Sequence, residues 1–307
     1  MSAFWRQLSK NKMPLFKCLF NKEPHSNSED DKDSAVEFDE PWREIKWNKS
    51  EIVQELKEFE LSNPEIKHLR FLMTGPVGSG KSSFVNSVNN AFQNRITNKA
   101  VMATTSETSC TEIFRSYKIK NETSGTLSFV FCDTMGVEKG SKKGVDVRDL
   151  NNALQGHLTE GYQFNQHCCI TTDDPGFNSK PTLEDKIQCV ICAISGNTIS
   201  QLDQGVIIKI KQNFKEAAKL GISQVIIVTK IDEFCPLVNK DLKNVYKSKK
   251  IKDKMKECSN FLSVPMTCIF PVKNYHEQTK TDDDIDVLLL SALKQILHFA
   301  NDLTEKL

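Results

Sequence analysis

The sequence predicts an α/β fold in which a mostly parallel, twisted sheet carries helices on both faces. From Leu69 onward, short apolar runs alternate with longer amphipathic stretches, and this alternation is typical of parallel sheets that are buried on both sides. A glycine-rich turn follows the first apolar run and leads directly into an amphipathic stretch. The chain has 307 residues and a formal charge of +1, so it is long enough for a core of its own and lacks the basic excess of a bulk nucleic-acid binder. We therefore expect no DNA partner.

The apolar patterns place the elements in order along the chain. A lead-in helical segment is predicted over 41–66, with Ser50 as its N-cap and Asn63-Pro64 as its end. Strands are predicted over 69–74, 112–120, 127–133, 186–195, 222–230 and 264–272. Helices are predicted over 81–92, 204–221 and 282–300.

The first 40 residues have the composition of a disordered or weakly structured tail. Residues 1–20 carry four basic and no acidic side chains among aromatic and leucine residues, and residues 21–40 are strongly acidic. The basic segment is compatible with contact to a membrane surface, but a frayed tail is the favoured interpretation. We predict three parts: this tail over 1–40, the lead-in segment over 41–66 and one globular domain over 67–303.

The ten cysteines do not have the spacing of a disulfide framework or a metal site. Cys189 and Cys192 form a C-x-x-C pair within an apolar run, but side chains three apart on a strand point to opposite faces. Core cysteines in a reducing compartment are the better interpretation. Since the sequence also contains no signal peptide and no apolar run long enough to cross a bilayer, we expect a cytoplasmic protein.

The strongest motif is a phosphate-binding loop at residues 75–82, GPVGSGKS, which matches G-x-x-x-x-G-K-[ST]. Glycines allow close approach of the backbone, so that successive N–H groups surround phosphate oxygens at the start of a helix. Lys81 is expected to reach the β- and γ-phosphates, and Ser82 to coordinate Mg²⁺. The predicted contacts of this loop are Gly75, Val77, Gly78, Ser79, Gly80, Lys81, Ser82 and Ser83.

Two further segments at strand ends complete the predicted site. Asp133 follows a buried strand and is expected to hold Mg²⁺, while the backbone of Gly136 is expected to approach a γ-phosphate. Thr229, Lys230 and Asp232 close another strand, where a carboxylate accepts from the N1 and N2 donors of guanine. Lys273 follows the last strand and is expected to present a backbone N–H to the guanine O6. These segments have the order found in Ras-like P-loop GTPases, with the ligand at the carboxyl ends of the strands.

The chain resembles the interferon-induced protein 44 family, including its 44-like members, over roughly residues 41 to 303. The resemblance rests on the stretches PWREIKW, GPVGSGKSSFVNSVNNAF, FVFCDTMG, GYQFNQ, TLEDKIQCV, VIIVTKID and IFPVKNY. It implies a cytoplasmic, interferon-induced protein with a GTPase-like fold, linked to antiviral defence and to restraint of cell proliferation. Functions that longer members owe to an N-terminal TLDc-type domain are not carried over, because the first 40 residues here are unrelated to that domain.

The GTPase pattern implies GTP or GDP with Mg²⁺ as ligands and a metal-binding threonine in the first switch. Thr105, Thr108 and Thr111 all qualify for that role, and Thr108 is chosen. Two residues of this chain depart from the Ras-like GTPase pattern. Thr229 stands where Ras-like proteins prefer Asn, so no amide is expected there to brace the phosphate loop, and base selection is expected to be loose. Val137 stands where they place a water-orienting Gln. Because valine cannot orient a nucleophile, either another residue does so or hydrolysis is slow.

Two other segments are candidates for surfaces that bind partners. The long segment 137–186 is expected to form an enlarged second switch that presents a surface to unknown protein partners. The lysine-rich stretch 247–256 is interpreted as a solvated helix face. The favoured function is a guanine-nucleotide-binding, interferon-induced antiviral effector with weak or partner-dependent hydrolysis. The alternatives are a non-cycling interaction scaffold and membrane-associated self-association.

Overall fold

The computed structural model describes residues 37–100, 112–120, 125–140, 143–165 and 167–306. Within these residues six strands form one sheet in the order β2-β3-β1-β4-β5-β6. The strands are β1 (Leu69–Thr74), β2 (Arg115–Lys120), β3 (Thr126–Asp133), β4 (Cys189–Ser195), β5 (Ser223–Thr229) and β6 (Ile269–Pro271). Strand β2 runs antiparallel to β3, and the remaining neighbours are parallel.

Apolar side chains alternate between the two faces of this sheet, so the domain has two cores. On β1, Leu72 joins one buried cluster, whereas Phe71 and Met73 join the other. The same alternation separates Cys192 from Cys189 on β4. The C-x-x-C pair is therefore divided between two cores, as the strand period requires.

Eight helices lie around the sheet in the described part of the chain. They are α1 (Lys49–Lys57), α2 (Lys81–Gln93), α3 (Val147–Leu154), α4 (Gln204–Lys219), α5 (Ile231–Phe234), α6 (Pro236–Lys240), α7 (Lys249–Leu262) and α8 (Asp283–Thr304). Helices α1, α2 and α8 supply one core, and α3, α4 and α7 supply the other. The predicted α/β fold, with a mostly parallel sheet and helices on both faces, is confirmed.

None of the helices in the described ranges combines the length and the apolar character that crossing a membrane requires.

Three details of the predicted elements are wrong. Helix α1 ends at Lys57 and not at Asn63-Pro64. Helix α1 is capped by Asn48, whose side-chain oxygen accepts from Glu51 N at 3.3 Å, and Ser50 instead donates to that oxygen at 2.8 Å. The last strand is shorter than predicted, because Met266–Cys268 forms a 3₁₀ turn after Pro265. Proline has no N–H to give to a ladder, which favours a turn there over an extended strand.

The segment 137–186 is built into the domain. Phe114 N donates to Tyr162 O at 2.7 Å, and Gly161 N donates to Phe114 O at 3.0 Å, so this segment pairs with the chain just before β2. Helix α3 and the residues after it contribute side chains such as Leu150 and Ile170 to the core on their side of the sheet. That this segment also presents a partner surface stays a prediction, as do the boundaries of the three predicted parts.

Candidate nucleotide-binding site

The phosphate-binding loop joins the end of β1 to the start of α2. Gly75 has φ +128° and Gly80 has φ +89°, a region that favours glycine. A Cβ atom at Gly75 would lie 2.2 Å from the carbonyl oxygen of Ala193, and one at Gly80 would lie 2.8 Å from Nδ2 of Asn274. These two glycines therefore allow the loop to pass close to β4 and to the segment after β6.

Lys81 begins α2 and is buried against the loop. Its ammonium group donates to the carbonyl oxygens of Gly75 at 3.1 Å and Pro76 at 3.0 Å. Burial lowers the pKa of Lys81, and the carboxylate of Asp133 opposes that shift. A phosphate bound in the loop would favour the charged form of Lys81, because an opposite charge nearby offsets desolvation.

Ser82 and Asp133 meet where α2 begins and β3 ends. The Ser82 hydroxyl donates to Oδ2 of Asp133 at 2.7 Å, and Oδ1 accepts from Thr134 N at 3.1 Å. Burial raises the pKa of Asp133, and Lys81 opposes that shift. Hydroxyl and carboxylate oxygens are the donors that Mg²⁺ prefers, so this pair fits a Mg²⁺ site beside the loop. Thr108, the third predicted metal ligand, lies outside the described residues.

The residues after Asp133 pass directly over the loop. A Cβ atom at Gly136 would lie 2.5 Å from Cγ2 and 3.0 Å from Cα of Val77, so glycine is needed for this approach. Val137 forms a parallel bridge with Pro76, and its N–H donates to Gly75 O at 3.0 Å. The structure thus brings Gly136 to the phosphate loop, where its predicted contact with a γ-phosphate stays a prediction.

Two side chains brace the loop from the strand ends on its other side. The Thr229 hydroxyl donates to Ser79 O at 2.7 Å, and the Asn274 amide donates to Gly80 O at 3.1 Å. Thr229 braces the loop with its hydroxyl and, as expected, supplies no amide. Asn274 supplies the amide from a different segment, and sequence reasoning missed this role.

The predicted base-binding residues gather beside this brace. Asp232 and Lys273 form an ion pair of 3.0 Å between a carboxylate and an ammonium, each side chain being about one-fifth exposed. Lys230 adopts the left-handed conformation with φ +59° and precedes α5. Thr229 braces the loop, and Lys273 precedes the other bracing residue, Asn274. The ion pair of Asp232 and Lys273 is therefore held next to the phosphate loop at the carboxyl edge of the sheet.

The polar groups around the loop show whether the site is suited to a nucleotide. The hydroxyl oxygen of Ser79 is buried and has no hydrogen-bond partner among the described residues. A buried polar group without a partner is unfavourable unless a ligand or water satisfies it. Ser79 lies between loop glycines, with Lys81 and the Ser82–Asp133 pair on the helix side. This arrangement fits a phosphate group with an associated Mg²⁺. Val77, Gly78 and Ser83 lie in the same loop and the first turn of α2.

The sequence is similar to curated proteins from mammals, whereas no protein-family model matches it. It is 33% identical over 261 residues to human interferon-induced protein 44-like, covering 85% of this chain and 58% of that protein. It is 31% identical over 259 residues to mouse interferon-induced protein 44, covering 84% and 61% respectively. The chain thus spans about three-fifths of the length of these relatives.

Solved structures show a more distant likeness. A probable GTP-binding protein engB is matched with TM-score 0.41 and 11% identity, over 76% of this chain and 98% of that chain. Toc33 from Arabidopsis thaliana, in complex with GDP and Mg²⁺, is matched with TM-score 0.46 and 15% identity, over 82% and 90% respectively. Scores this low do not support an inference of shared function.

Proposed function

The matched part of this chain belongs to the interferon-induced protein 44 and 44-like family, as its sequence predicted, and from this premise we propose that it is an interferon-induced protein that binds guanine nucleotide with Mg²⁺. The proposal extends to a cytoplasmic effector of innate antiviral defence whose GTP hydrolysis is weak or depends on a partner. Protein partners are proposed to bind the segment 137–186.

The observation that carries the proposal is the cluster of Lys81, Ser82 and Asp133 at the phosphate loop. A buried ammonium lies against the loop carbonyls, and a hydroxyl in contact with a buried carboxylate lies beside it. Lys81 would neutralise the β- and γ-phosphates, and the other two would hold Mg²⁺. The base assignment is supported by Asp232. Its carboxylate would accept from N1 and N2 of guanine, either in place of its ion pair with Lys273 or in addition to it.

The test compares nucleotide binding by the wild-type protein, Lys81→Ala and the control Lys211→Ala. Lys211 is exposed on α4, so its substitution removes the same charge away from the site. We expect GTP–Mg²⁺ and GDP to stabilise the wild type and the control by about 2.7 kcal/mol at 100 times the Kd. Lys81→Ala is expected to lose this stabilisation in thermal unfolding and in titration with labelled nucleotide.

The outcomes separate the proposal from its alternatives. Equal binding by Lys81→Ala and the wild type would contradict the phosphate assignment. Stabilisation by ATP but not by guanine nucleotides would contradict the base assignment. If no nucleotide stabilises the wild type, the chain is better explained as an interaction scaffold, an alternative favoured by Val137, which is buried where Ras-like proteins have a water-orienting Gln.

A further inference from the structure

Val137 cannot take part in hydrolysis, because its side chain belongs to the core. It is 1% exposed and packs in the same cluster as Leu150 and Ile194. Its backbone is fixed on both sides, by a parallel bridge to Pro76 and an antiparallel bridge to Gly144. The Val137 side chain is therefore enclosed by apolar groups.

The next residue, Glu138, is placed differently. Its side chain is only partly buried and does not belong to the core cluster that contains Val137. One carboxylate oxygen of Glu138, Oε1, is buried and accepts no hydrogen bond from the described residues. A buried carboxylate oxygen without a donor is unfavourable, which indicates that this oxygen has a partner in the working state of the protein.

The surroundings of Glu138 locate it near the phosphate site. Burial lowers the pKa of Lys81, and the negative charge of Glu138, together with that of Asp133, opposes this shift. Burial also lowers the pKa of Lys209 on α4, and Glu138 acts in the opposite direction there too. Glu138 thus carries its charge within range of the lysine that is proposed to bind the phosphates.

The backbone around Glu138 is closely packed. A Cβ atom at Gly144 would lie 2.6 Å from the amide nitrogen and 3.0 Å from Cβ of Glu138. Val145 N donates to Gly136 O at 3.1 Å, which holds the returning chain beside the residues before Glu138. This packing fixes the backbone from which the Glu138 side chain extends.

We propose that Glu138 orients and deprotonates the water that attacks the γ-phosphate, in place of the Gln that Val137 replaces. This inference rests on the proposed binding of GTP. The water oxygen forms a bond to the γ-phosphorus, and the bond from that phosphorus to the bridging oxygen breaks, with its electron pair leaving on GDP. Oε1 of Glu138 accepts the proton of the water and passes it to the inorganic phosphate that is released. Lys81 lies where it would offset the negative charge that the carboxylate brings near the phosphates.

The test uses the full chain with Glu138→Gln, Glu138→Ala and the control Glu65→Gln, which makes the same chemical change at an exposed residue. Two quantities are measured on each protein: the Kd of a non-hydrolysable GTP analogue with Mg²⁺, and the single-turnover rate of phosphate release from GTP. We expect both Glu138 variants to lower the rate about a hundredfold or more. The analogue Kd is expected to stay within about threefold of the wild type, since the interaction acts on the transition state.

Unchanged hydrolysis by Glu138→Gln and Glu138→Ala would overturn the inference. So would a wild type that binds the analogue but releases no phosphate. Tighter analogue binding by both variants with an unchanged rate would show instead that Glu138 repels the γ-phosphate. Failure of the wild type to bind any guanine nucleotide would overturn the proposed function itself, and the binding measurement identifies that case separately.

Discussion

In the Ras-like pattern one asparagine side chain braces the phosphate loop, whereas in this chain Thr229 and Asn274 both do so. They donate to the carbonyl oxygens of adjacent loop residues, Ser79 at 2.7 Å and Gly80 at 3.1 Å. Each donor comes from a segment that also carries a predicted base-binding residue, Lys230 or Lys273. These two hydrogen bonds thereby connect the base-binding segments to the phosphate loop.

We expect Thr229→Ala to weaken the binding of GTP–Mg²⁺ by about fivefold, because it removes one hydrogen bond worth about 1 kcal/mol. Thr229→Ser is the matched control, since it keeps the hydroxyl and is expected to bind close to the wild-type level. Asn274→Ala should have an effect of similar size. In the double variant the effects should be non-additive, because both donors position one loop. Titration with labelled nucleotide compares these four variants with the wild type, and equal loss in Thr229→Ser and Thr229→Ala would contradict this account of the hydroxyl.

At the scale of single residues, the sequence predicts which side chains belong to the site better than it predicts which groups those side chains contact. Lys81, Ser82 and Asp133 were predicted at the site because their motifs fix their places in the chain. The role of Asn274 was missed because it depends on a contact between residues 194 positions apart. The signal was an Asn at the end of the last strand, which alone does not reveal whether its amide faces the base or the loop.

The phosphate loop is an element whose shape depends on glycine at particular positions. Gly75 and Gly78 both have positive φ, at +128° and +71°. They differ in their surroundings, since a Cβ atom at Gly75 would lie 2.2 Å from the carbonyl oxygen of Ala193, whereas one at Gly78 would meet nothing within 4 Å. The first glycine is required by close packing against β4, and the second only by its backbone conformation.

Gly75→Ala is therefore expected to be more destabilising than Gly78→Ala. The second substitution should cost about 1–2 kcal/mol from left-handed backbone strain alone. The first adds an overlap with backbone atoms, which should increase the loss of stability by a further 1–3 kcal/mol or so. Urea unfolding midpoints compare the two variants directly. Equal destabilisation would show that the loop can move away from β4 at little cost.

The elements that were predicted well are those with long apolar patterns. Strands β1, β3, β4 and β5 and helices α2, α4 and α8 lie close to their predicted places because each buries a regular set of apolar side chains. Errors occur where the pattern is short. Asn48 rather than Ser50 caps α1, and local polar residues two apart compete for one cap. The extent of β6 was overestimated because an apolar run alone does not show where hydrogen-bond pairing begins.

On the scale of the whole molecule, the segment 137–186 contains a fully buried acid, Asp149. Asp149 on α3 is fully buried, and its carboxylate accepts from Ile170 N at 2.8 Å and from the Tyr162 hydroxyl at 3.2 Å. Burial raises the pKa of Asp149 to about 6, and the two hydrogen bonds oppose the shift. The charge of Asp146 raises this pKa further, and that of Arg148 lowers it.

The sign of this shift determines how stability depends on pH. The folded protein binds the Asp149 proton more tightly than the unfolded chain, so this group contributes most stability below pH 4. The contribution is lost as the pH rises from about 4 to about 6. Asp149→Asn keeps an acceptor for Ile170 N and carries no charge. It should therefore stabilise the protein at pH 7.5, by up to about 3 kcal/mol.

The comparison at two pH values isolates Asp149 from all other titrating groups. The gain in the free energy of unfolding for Asp149→Asn over wild type should be about 2 kcal/mol larger at pH 7.5 than at pH 4.5. Asp173→Asn, at an exposed position of the same segment, is the matched control for the chemical change. A gain that is independent of pH would mean that the fold does not raise the pKa of Asp149. Loss of stability at both pH values would mean that its carboxylate, with both hydrogen bonds, is needed to hold the segment 137–186 against the sheet.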